Sequence, residues 1–147
     1  MQQRRIGNSG LSSSALGLGC MGMSEFYGAT DEAQSLATLE AALAAGVTLF
    51  DTADAYGFGH NEQLLGRFLA SHRGQALVAT KCGLAREAGS YARRVDNSPA
   101  YIRQACEASL ARLGVESIDL FYLHRLNLET PLEESMGALA QLRQEGK

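Results

Sequence analysis

The chain has 147 residues, of which 46% are hydrophobic and 20% are charged. This composition is too apolar for a disordered protein, and the length fits one folded domain. Thirteen Lys and Arg residues against sixteen Asp and Glu residues give a net charge of −3, which argues against a general nucleic-acid binder.

Cysteine spacing and hydropathy narrow the class of protein further. Cys20, Cys82 and Cys106 are widely spaced and form no CxxC pair, so we expect neither a disulfide framework nor a metal site. No apolar run approaches the roughly 18 residues of a membrane span, and the polar start of the chain does not resemble a signal peptide. These features predict a cytoplasmic protein with no membrane partner.

The predicted elements begin with a hairpin turn at residues 6–11 and continue as an alternation of strands and helices. Short apolar runs predict buried strands at residues 14–19, 47–50, 76–80 and 118–123. The segments between and after them carry apolar residues at helical spacing and predict four helices. The apolar stripes are Leu36, Leu39 and Leu43; Leu64, Leu65, Phe68 and Leu69; Ile102, Cys106, Leu110 and Leu113; and Leu132, Met136, Leu139 and Leu142.

Capping residues mark the ends of these helices. Ser98 before Pro99 predicts the start of the third helix. Thr130, with Glu133 three residues later, predicts a capping box at the start of the fourth. Glycines in the left-handed conformation are expected after the first, third and fourth helices, at Gly46, Gly114 and Gly146.

The order of elements is a small hairpin followed by four β/α units, which predicts an α/β fold with a parallel sheet. Two architectures fit: a small open doubly wound sheet, or half of a (β/α)8 TIM-type barrel, which needs about 250 residues. After the third strand, Arg86, Glu87, Arg93 and Arg94 predict a solvated loop that could also rim a substrate pocket.

Ionisable residues directly follow three of the four predicted strands. Asp51, Lys81 and His124 each stand where an apolar run ends, and Tyr56 lies in the glycine-containing loop after Asp51. Because parallel α/β sheets place their active sites at the C-terminal strand ends, we expect these four side chains to meet at one rim. The ordinary alternative for any one of them alone is a polar loop start or a packing aromatic.

Together, these four residues have the chemistry of a proton donor to a carbonyl oxygen. A neighbouring ammonium group stabilises a phenolate, so Lys81 would make Tyr56 a better acid, while Asp51 holds Lys81 charged and in place. A neutral His124 would hydrogen-bond the substrate oxygen and orient it. A hydride must then come from a nicotinamide cofactor.

Other candidate sites have weaker support in the sequence. The run from Gly17 to Gly22 matches GxGxxG but has no acidic residue at the end of a following strand, so we discount a dinucleotide fingerprint. His60 and His72 have no paired ligand at helical spacing, and loop or surface roles are expected for them.

The segment DTADAYG at residues 51–57 resembles the first signature of the aldo-keto reductases. The segments GLGCMGM at 17–23, FD at 50–51, TK at 80–81 and YLHR at 122–125 are similar to further motifs of that family, in the same order and spacing. The resemblance runs from residue 4 to residue 147, essentially the whole chain.

The resemblance implies a (β/α)8 barrel closed at its base by a hairpin, with residues 1–147 as its N-terminal half. It implies an oxidoreductase that reduces aldehydes or ketones to alcohols with NADPH. Tyr56 would be the general acid, Lys81 and Asp51 its tuning pair, and His124 the substrate-orienting residue. Besides Asp51, the loop residues Cys20 and Met21 would lie near the nicotinamide.

The chain departs from the family pattern in two places. Relatives often read His-Arg-x-Asp-Pro where this chain has HRLNL at 124–128, which puts the structure of that loop in question. Strands five to eight, which supply most of the family's cofactor site, have no counterpart in these 147 residues.

From this half-barrel we expect a chain that is inactive alone and self-associates through open sheet edges. Apolar side chains such as Leu16, Phe50 and Val78 would then lack a covering layer. The alternative is a catalytically silent half-barrel that acts as a binding or interaction module. A phosphate-handling barrel would need a phosphate-binding loop that the sequence does not show.

Overall fold

A parallel sheet covered by helices forms the centre of the computed structural model, which describes residues 1–86 and 92–147. In chain order the elements are β1 (Gln3–Arg5), β2 (Ser12–Ser14), β3 (Gly17–Gly19), α1 (Glu32–Ala44), β4 (Leu49–Asp51), α2 (His60–His72), β5 (Leu77–Cys82), β6 (Leu84–Arg86), β7 (Arg93–Val95), α3 (Pro99–Leu113), β8 (Leu120–Leu123) and α4 (Leu132–Gln144). Short 3₁₀ turns lie at Met21–Met23 and Tyr56–Gly59. None of the helices in these ranges combines the length and apolarity needed to cross a membrane.

The main sheet has the order β3-β4-β5-β8, and all three neighbouring pairs are parallel. Each strand passes to the next through a crossover that contains a helix, as the predicted β/α repeat requires. The register pairs Gly19 with Asp51 and Lys81 with Tyr122, so the C-terminal ends of the four strands lie along one edge. The α/β fold predicted from the sequence is therefore confirmed.

Alternation along the strands separates a helix-facing side of the sheet from the other side. Phe50 and Val78 are paired neighbours with no solvent exposure, and both belong to a core cluster with Leu65 and Phe68 of α2. The rings of Phe50 and Phe68 have centroids 5.0 Å apart. The expectation that Phe50 and Val78 lack a covering layer was therefore wrong, because α1 and α2 supply that layer; Leu16, by contrast, is 65% exposed.

The predicted strand at residues 14–19 is two separate strands. Ser12–Ser14 pairs antiparallel with Gln3–Arg5 in the N-terminal hairpin, and Gly17–Gly19 pairs with β4 in the main sheet. Two reciprocal hydrogen bonds link the hairpin to the main sheet. The backbone N–H of Ser14 donates to Thr48 Oγ1, and the backbone N–H of Thr48 donates to Ser14 Oγ, both at 2.8 Å. The hairpin itself is where the sequence predicted it.

Helix ends agree with the sequence at all but one position. Ser98 Oγ accepts a bond from Tyr101 N with Pro99 in the first turn, as predicted. The prediction of a capping box at Thr130 was wrong. The N-cap of α4 is Pro131, which has no polar side chain to act as a cap, and the Thr130 N–H donates to Asn127 Oδ1 at 3.0 Å. The predicted terminator glycines all have positive φ: Gly46, Gly114 and Gly146.

The polar segment after β5 forms an antiparallel pair, β6 with β7, instead of an entirely irregular loop. Its register places Arg86 directly opposite Arg93. The neighbouring Arg94 forms an ion pair with Asp96, with Nη1 at 2.9 Å from Oδ2. Glu87, the remaining residue of the predicted loop, lies outside the described residues.

All three cysteine side chains are in the core and none forms a disulfide. Cys20 and Cys82 have no solvent exposure, and Cys106 is 1% exposed. Burial raises the pKa of the thiols of Cys20 and Cys82 to about 12 and that of Cys106 to about 11. The absence of a disulfide framework, expected from their spacing, agrees with these positions.

We predict opposite effects of alanine at two helical glycines. A Cβ on Gly66 of α2 would stand 2.7 Å from the Arg112 carbonyl oxygen and 2.9 Å from that of Leu113, both backbone atoms of α3. Gly66→Ala should therefore lower the free energy of unfolding by about 2 kcal/mol. The matched control is Gly137 of α4, where a Cβ meets nothing within 4 Å.

Gly137→Ala should raise the free energy of unfolding by up to about 1 kcal/mol, because alanine has the higher helix propensity. Urea denaturation followed by circular dichroism measures both changes. Equal effects of the two substitutions would contradict the close approach of α2 to α3.

Candidate active site

The C-terminal edge of the main sheet brings together the four residues predicted from the sequence. Asp51 ends β4, Lys81 is the next-to-last residue of β5, and His124 follows β8 directly. Tyr56 begins the 3₁₀ turn between β4 and α2. The parallel register is what aligns these strand ends, so residues distant in sequence share one site.

The Lys81 ammonium group is the hub of the site. Its Nζ donates to Asp51 Oδ1 at 2.6 Å, to the Thr52 carbonyl oxygen at 2.7 Å and to Tyr56 Oη at 3.3 Å. The Lys81 side chain is only 17% exposed, so these three partners replace most of its hydration. Because an ammonium group has three donors, all of them are committed, and Tyr56 Oη accepts one while its own O–H stays available.

His124 stands against the tyrosine ring as a neutral imidazole. The two rings meet edge to face with centroids 5.6 Å apart. Burial lowers the pKa of His124, and the positive charges of Lys81 and Arg125 lower it further. Its Nδ1 is buried and has no hydrogen-bond partner among the described residues. A neutral ring is the form that can hydrogen-bond a substrate oxygen without adding a second full charge beside Lys81.

A left-handed backbone segment presents Tyr56 to the site. Gly57, Phe58 and Gly59 all have positive φ, at 56°, 54° and 86°. A Cβ at Gly57 would come within 3.1 Å of Ser24 Cβ, so the tight turn needs glycine there. Phe58 is not a glycine and holds this conformation under strain, with the Arg86 guanidinium 4.4 Å from its ring centroid.

Asn61 is a supporting residue that the sequence reasoning missed. It has no solvent exposure, and its Oδ1 accepts a bond from Thr52 Oγ1 at 2.6 Å. Its Nδ2 donates to the Cys20 carbonyl oxygen at 2.8 Å and to Ser24 Oγ at 2.7 Å. The loops after β3 and β4 are thereby joined through one amide group.

Glu62, the next residue, is a second missed support. It is fully buried, and its two carboxylate oxygens accept bonds from Thr80 Oγ1 and Arg112 Nε, both at 2.6 Å. Thr80 precedes Lys81 on β5, so Glu62 ties the strand that carries the ammonium group to α3. The sequence does contain a signal for both residues: Asn61 and Glu62 extend the apolar stripe of Leu64, Leu65 and Phe68 by one turn.

Asp54 lies behind the site and carries a perturbed carboxyl group. Burial, followed by the charge of Glu62, raises its pKa from the ordinary 3.8 to about 7. Its Oδ1 is buried without a hydrogen-bond partner in the described part of the chain. Its backbone N–H donates to the Lys81 carbonyl oxygen at 3.2 Å, so Asp54 is held against the backbone of β5 next to the site.

Two cavities meet at Tyr56 and Met21. One, of about 250 Å³, is lined by Tyr56 and His124 together with side chains of the Met21 loop and the β6–β7 pair. The other, of about 430 Å³, is lined by Gly19, Met21, Gly22, Tyr27, Asp51 and Tyr56. Cys20 lines neither, because its side chain is packed in the core and its Sγ lies 3.5 Å from the Leu18 carbonyl oxygen. The expectation that Cys20 lies near a nicotinamide stays a prediction, and the buried Sγ leaves its backbone as the part that could contact a cofactor.

The two remaining histidines outside the site have structural partners. His60 Nδ1 lies 2.9 Å from Ser24 Oγ, and its Nε2 lies 3.0 Å from Glu32 Oε1. The ring of His72 stacks on Phe68. Across the residues that the structure describes, no group of three or more His, Cys, Asp or Glu side chains is arranged to hold a metal ion.

Comparison with known proteins gives a consistent result. The family model described as "Aldo/keto reductase family" matches residues 15–147. The aldo-keto reductase AKR11C1 from Bacillus halodurans, solved in a holo form, is 38% identical and superposes with a TM-score of 0.91 over 99% of this chain and 47% of its own. The glycerol dehydrogenase AKR11B4 from Gluconobacter oxydans is also 38% identical, with a TM-score of 0.88 over 99% of this chain and 46% of its own. The chain thus spans about half the length of these solved structures.

We predict that Asp54 makes stability fall as pH rises. Its carboxyl group holds a proton more tightly in the folded chain, with a pKa of about 7, than in the unfolded chain, where the ordinary value is 3.8. The free energy of unfolding should therefore decrease between about pH 4 and pH 7. Asp54→Asn, which carries no charge at any pH, should remove this decrease.

The free energy of unfolding of Asp54→Asn, measured relative to that of the unsubstituted chain, should rise by roughly 1–3 kcal/mol between pH 4 and pH 8. Thermal denaturation of both chains across that pH range measures how differently their stabilities depend on pH. Parallel pH profiles for the two chains would show that the Asp54 carboxyl group is not perturbed in this way.

Proposed function

The chain belongs to the aldo/keto reductase family, and we propose that its site supplies the proton-donating half of an NADPH-dependent reduction of aldehydes or ketones to alcohols. The observation that carries the proposal is the bond from Lys81 Nζ to Tyr56 Oη, at 3.3 Å, in a cavity that His124 also lines. It joins an acid, a charge that stabilises the conjugate base, and an orienting group.

In the proposed reaction the Tyr56 hydroxyl gives its proton to the carbonyl oxygen as negative charge develops there. Lys81 already donates to the phenol oxygen, so its charge stabilises the tyrosinate that remains. Asp51, at 2.6 Å from Lys81 Nζ, holds that ammonium group in place beside Tyr56. The tyrosinate regains its proton from solvent after the alcohol leaves.

His124 has the role of orienting the substrate. A neutral imidazole can hydrogen-bond the carbonyl oxygen, and the lowered pKa of His124 keeps it neutral at physiological pH. With Tyr56 and His124 both directed at one oxygen, the carbonyl group is fixed in place before the proton moves.

The cavity on the Asp51 side of Tyr56 fits the reactive ring of a nicotinamide cofactor. Gly19 has open space where a Cβ would stand, and Gly22 also presents backbone there, so a flat ring can approach closely. Met21 and Asp51 are the residues of this chain that would hold it. When bound, NADPH supplies a hydride to the carbonyl carbon, which together with the proton from Tyr56 completes the alcohol.

We infer that residues 1–147 correspond to the N-terminal half of the family's barrel domain. The support is that the chain is covered almost completely by relatives of which it covers 47% and 46%. The small carbonyl substrate, the choice of NADPH, the cytoplasmic location and self-association through open sheet edges stay predictions from the sequence.

We predict that Tyr56→Phe lowers kcat for carbonyl reduction by at least about a hundredfold, because it removes the acidic proton and leaves the ring. The assay joins residues 1–147 in frame to the C-terminal half of the Bacillus halodurans relative and follows NADPH absorbance with a set of aldehydes. NADPH affinity, measured by fluorescence titration, should change less than about twofold.

Tyr122→Phe is the matched control, because Tyr122 is 44% exposed and lines neither cavity. It should leave both kcat and NADPH affinity unchanged. Equal losses of cofactor binding and turnover in Tyr56→Phe would assign Tyr56 a structural role. A joined protein that folds but neither binds NADPH nor reduces any aldehyde would favour the alternative of a binding module.

A further inference from the structure

The 250 Å³ cavity beside Tyr56 and His124 has a wall of four charged residues: Glu25, Arg86, Arg93 and Arg125. Glu25 and Arg86 neutralise each other, because Arg86 Nη1 lies 2.8 and 2.9 Å from the two carboxylate oxygens of Glu25. Their side chains are only 15% and 4% exposed. The pair is therefore a fixed part of the wall and leaves no charge for a ligand.

Arg93 and Arg125 differ from that pair. Both are exposed at the cavity, and neither has a carboxylate within ion-pair distance among residues 1–86 and 92–147. Arg94, the next residue on β7, is paired with Asp96. Within the described residues, the cavity thus carries two guanidinium groups without an ion-pair partner, and both lower the pKa of His124, after burial and the charge of Lys81.

The fold holds Arg93 in an unfavourable place. The β6–β7 register sets it directly opposite Arg86, an arrangement that destabilises a hairpin unless the charge is compensated. Glu25 compensates only Arg86. Arg93 instead stacks on Phe26, with its guanidinium carbon 5.7 Å from the ring centroid, and Phe26 is a non-glycine residue with φ of 72°. Strain of this kind concentrates at ligand-binding sites.

The backbone of Arg125 is held in place by a buried amide. Asn97, 1% exposed, donates from Nδ2 to the Arg125 carbonyl oxygen at 3.0 Å, and its Oδ1 accepts from Asn127 N at 2.8 Å. Arg125 directly follows His124, so its guanidinium group extends from a fixed point next to the orienting imidazole. Arg125 therefore projects from a fixed backbone position, and Arg93 packs on the ring of Phe26.

We propose that this cavity selects carbonyl compounds that carry an anionic group, a carboxylate or a phosphate, bound by Arg93 and Arg125 while the carbonyl oxygen meets Tyr56 and His124. The inference rests on the proposed function for the reacting end of the substrate. Guanidinium groups bind carboxylate and phosphate oxygens through directed, charge-assisted hydrogen bonds, which a neutral substrate of the same shape cannot make. The size of the cavity restricts the choice to small molecules.

The test measures binding and requires no turnover. The 147-residue chain is titrated with 4-carboxybenzaldehyde and with its methyl ester, which has nearly the same shape and no charge, while NMR follows the His124 imidazole signals. The acid should bind about tenfold more tightly than the ester, and added salt should weaken only the acid. Glyceraldehyde 3-phosphate against glyceraldehyde is the second arm, and the larger ratio identifies the preferred anion.

Three glutamine variants locate the effect. Arg93→Gln and Arg125→Gln should each lower the acid-to-ester ratio by about fivefold, with ester binding unchanged. Arg94→Gln, on the same strand but outside the cavity, should leave the ratio as it is. Arg93→Lys should give an acid-to-ester ratio between those of Arg93→Gln and the unsubstituted chain, because lysine keeps the positive charge but lacks the planar guanidinium group. Circular dichroism establishes that each variant is folded.

Equal binding of acid and ester, no binding of either, or an equal effect of Arg94→Gln would overturn the proposal. Its failure is distinct from failure of the proposed function. If the chain shows no preference for the acid but the joined protein still reduces aldehydes, only the anion site is contradicted. If the preference for the acid is present but the joined protein reduces no aldehyde, only the catalytic role of Tyr56 is contradicted.

Discussion

One ammonium group, taken largely out of water, determines how the C-terminal edge of this sheet is arranged. Lys81 needs three acceptors in the right directions, and β4, the loop after it and the turn at Tyr56 each provide one. An unpaired charge at this depth would be costly, so the loop between β4 and α2 has little freedom to move without losing one of these bonds. The position of the tyrosine hydroxyl is thus a consequence of the three acceptors that a largely buried ammonium group requires.

The support for this arrangement comes from the first turn of α2. Asn61 and Glu62 are both fully buried, and they reach the loops after β3 and β4, the strand β5 and the helix α3. A buried polar network of this kind is stable only when every member is satisfied, which makes its geometry specific. Besides Tyr56 and His124, the 250 Å³ cavity is lined by residues of the Met21 loop, the β6–β7 pair and Arg125. Asn61 bonds to both ends of that loop, at Cys20 and Ser24, so the same network also holds part of the cavity wall.

The sequence predicts the sheet, the helices and the four residues at its edge because each depends on local periodicity or on strand ends. It predicts less where a polar group is decided by a distant partner. Ser14 ends the hairpin strand and is joined to the main sheet through its bonds with Thr48, 34 residues away, which local periodicity does not reveal. The Thr130 N–H, which a capping box would give to Glu133, donates to Asn127 instead, and Asn127 is itself placed by Asn97. Asn61 and Glu62 stand on an apolar stripe, where only the three-dimensional packing shows that polar side chains have partners.

The three buried thiols have a practical consequence. The thiolate is the form that reacts with disulfide reagents, and burial makes it scarce at neutral pH in each of them. Reaction must therefore wait for the surrounding structure to open. Cys20 directly follows β3, Cys82 ends β5, and Cys106 lies in α3 against α4. The rates at which a thiol reagent labels the three cysteines would therefore report the local unfolding of three different parts of the protein.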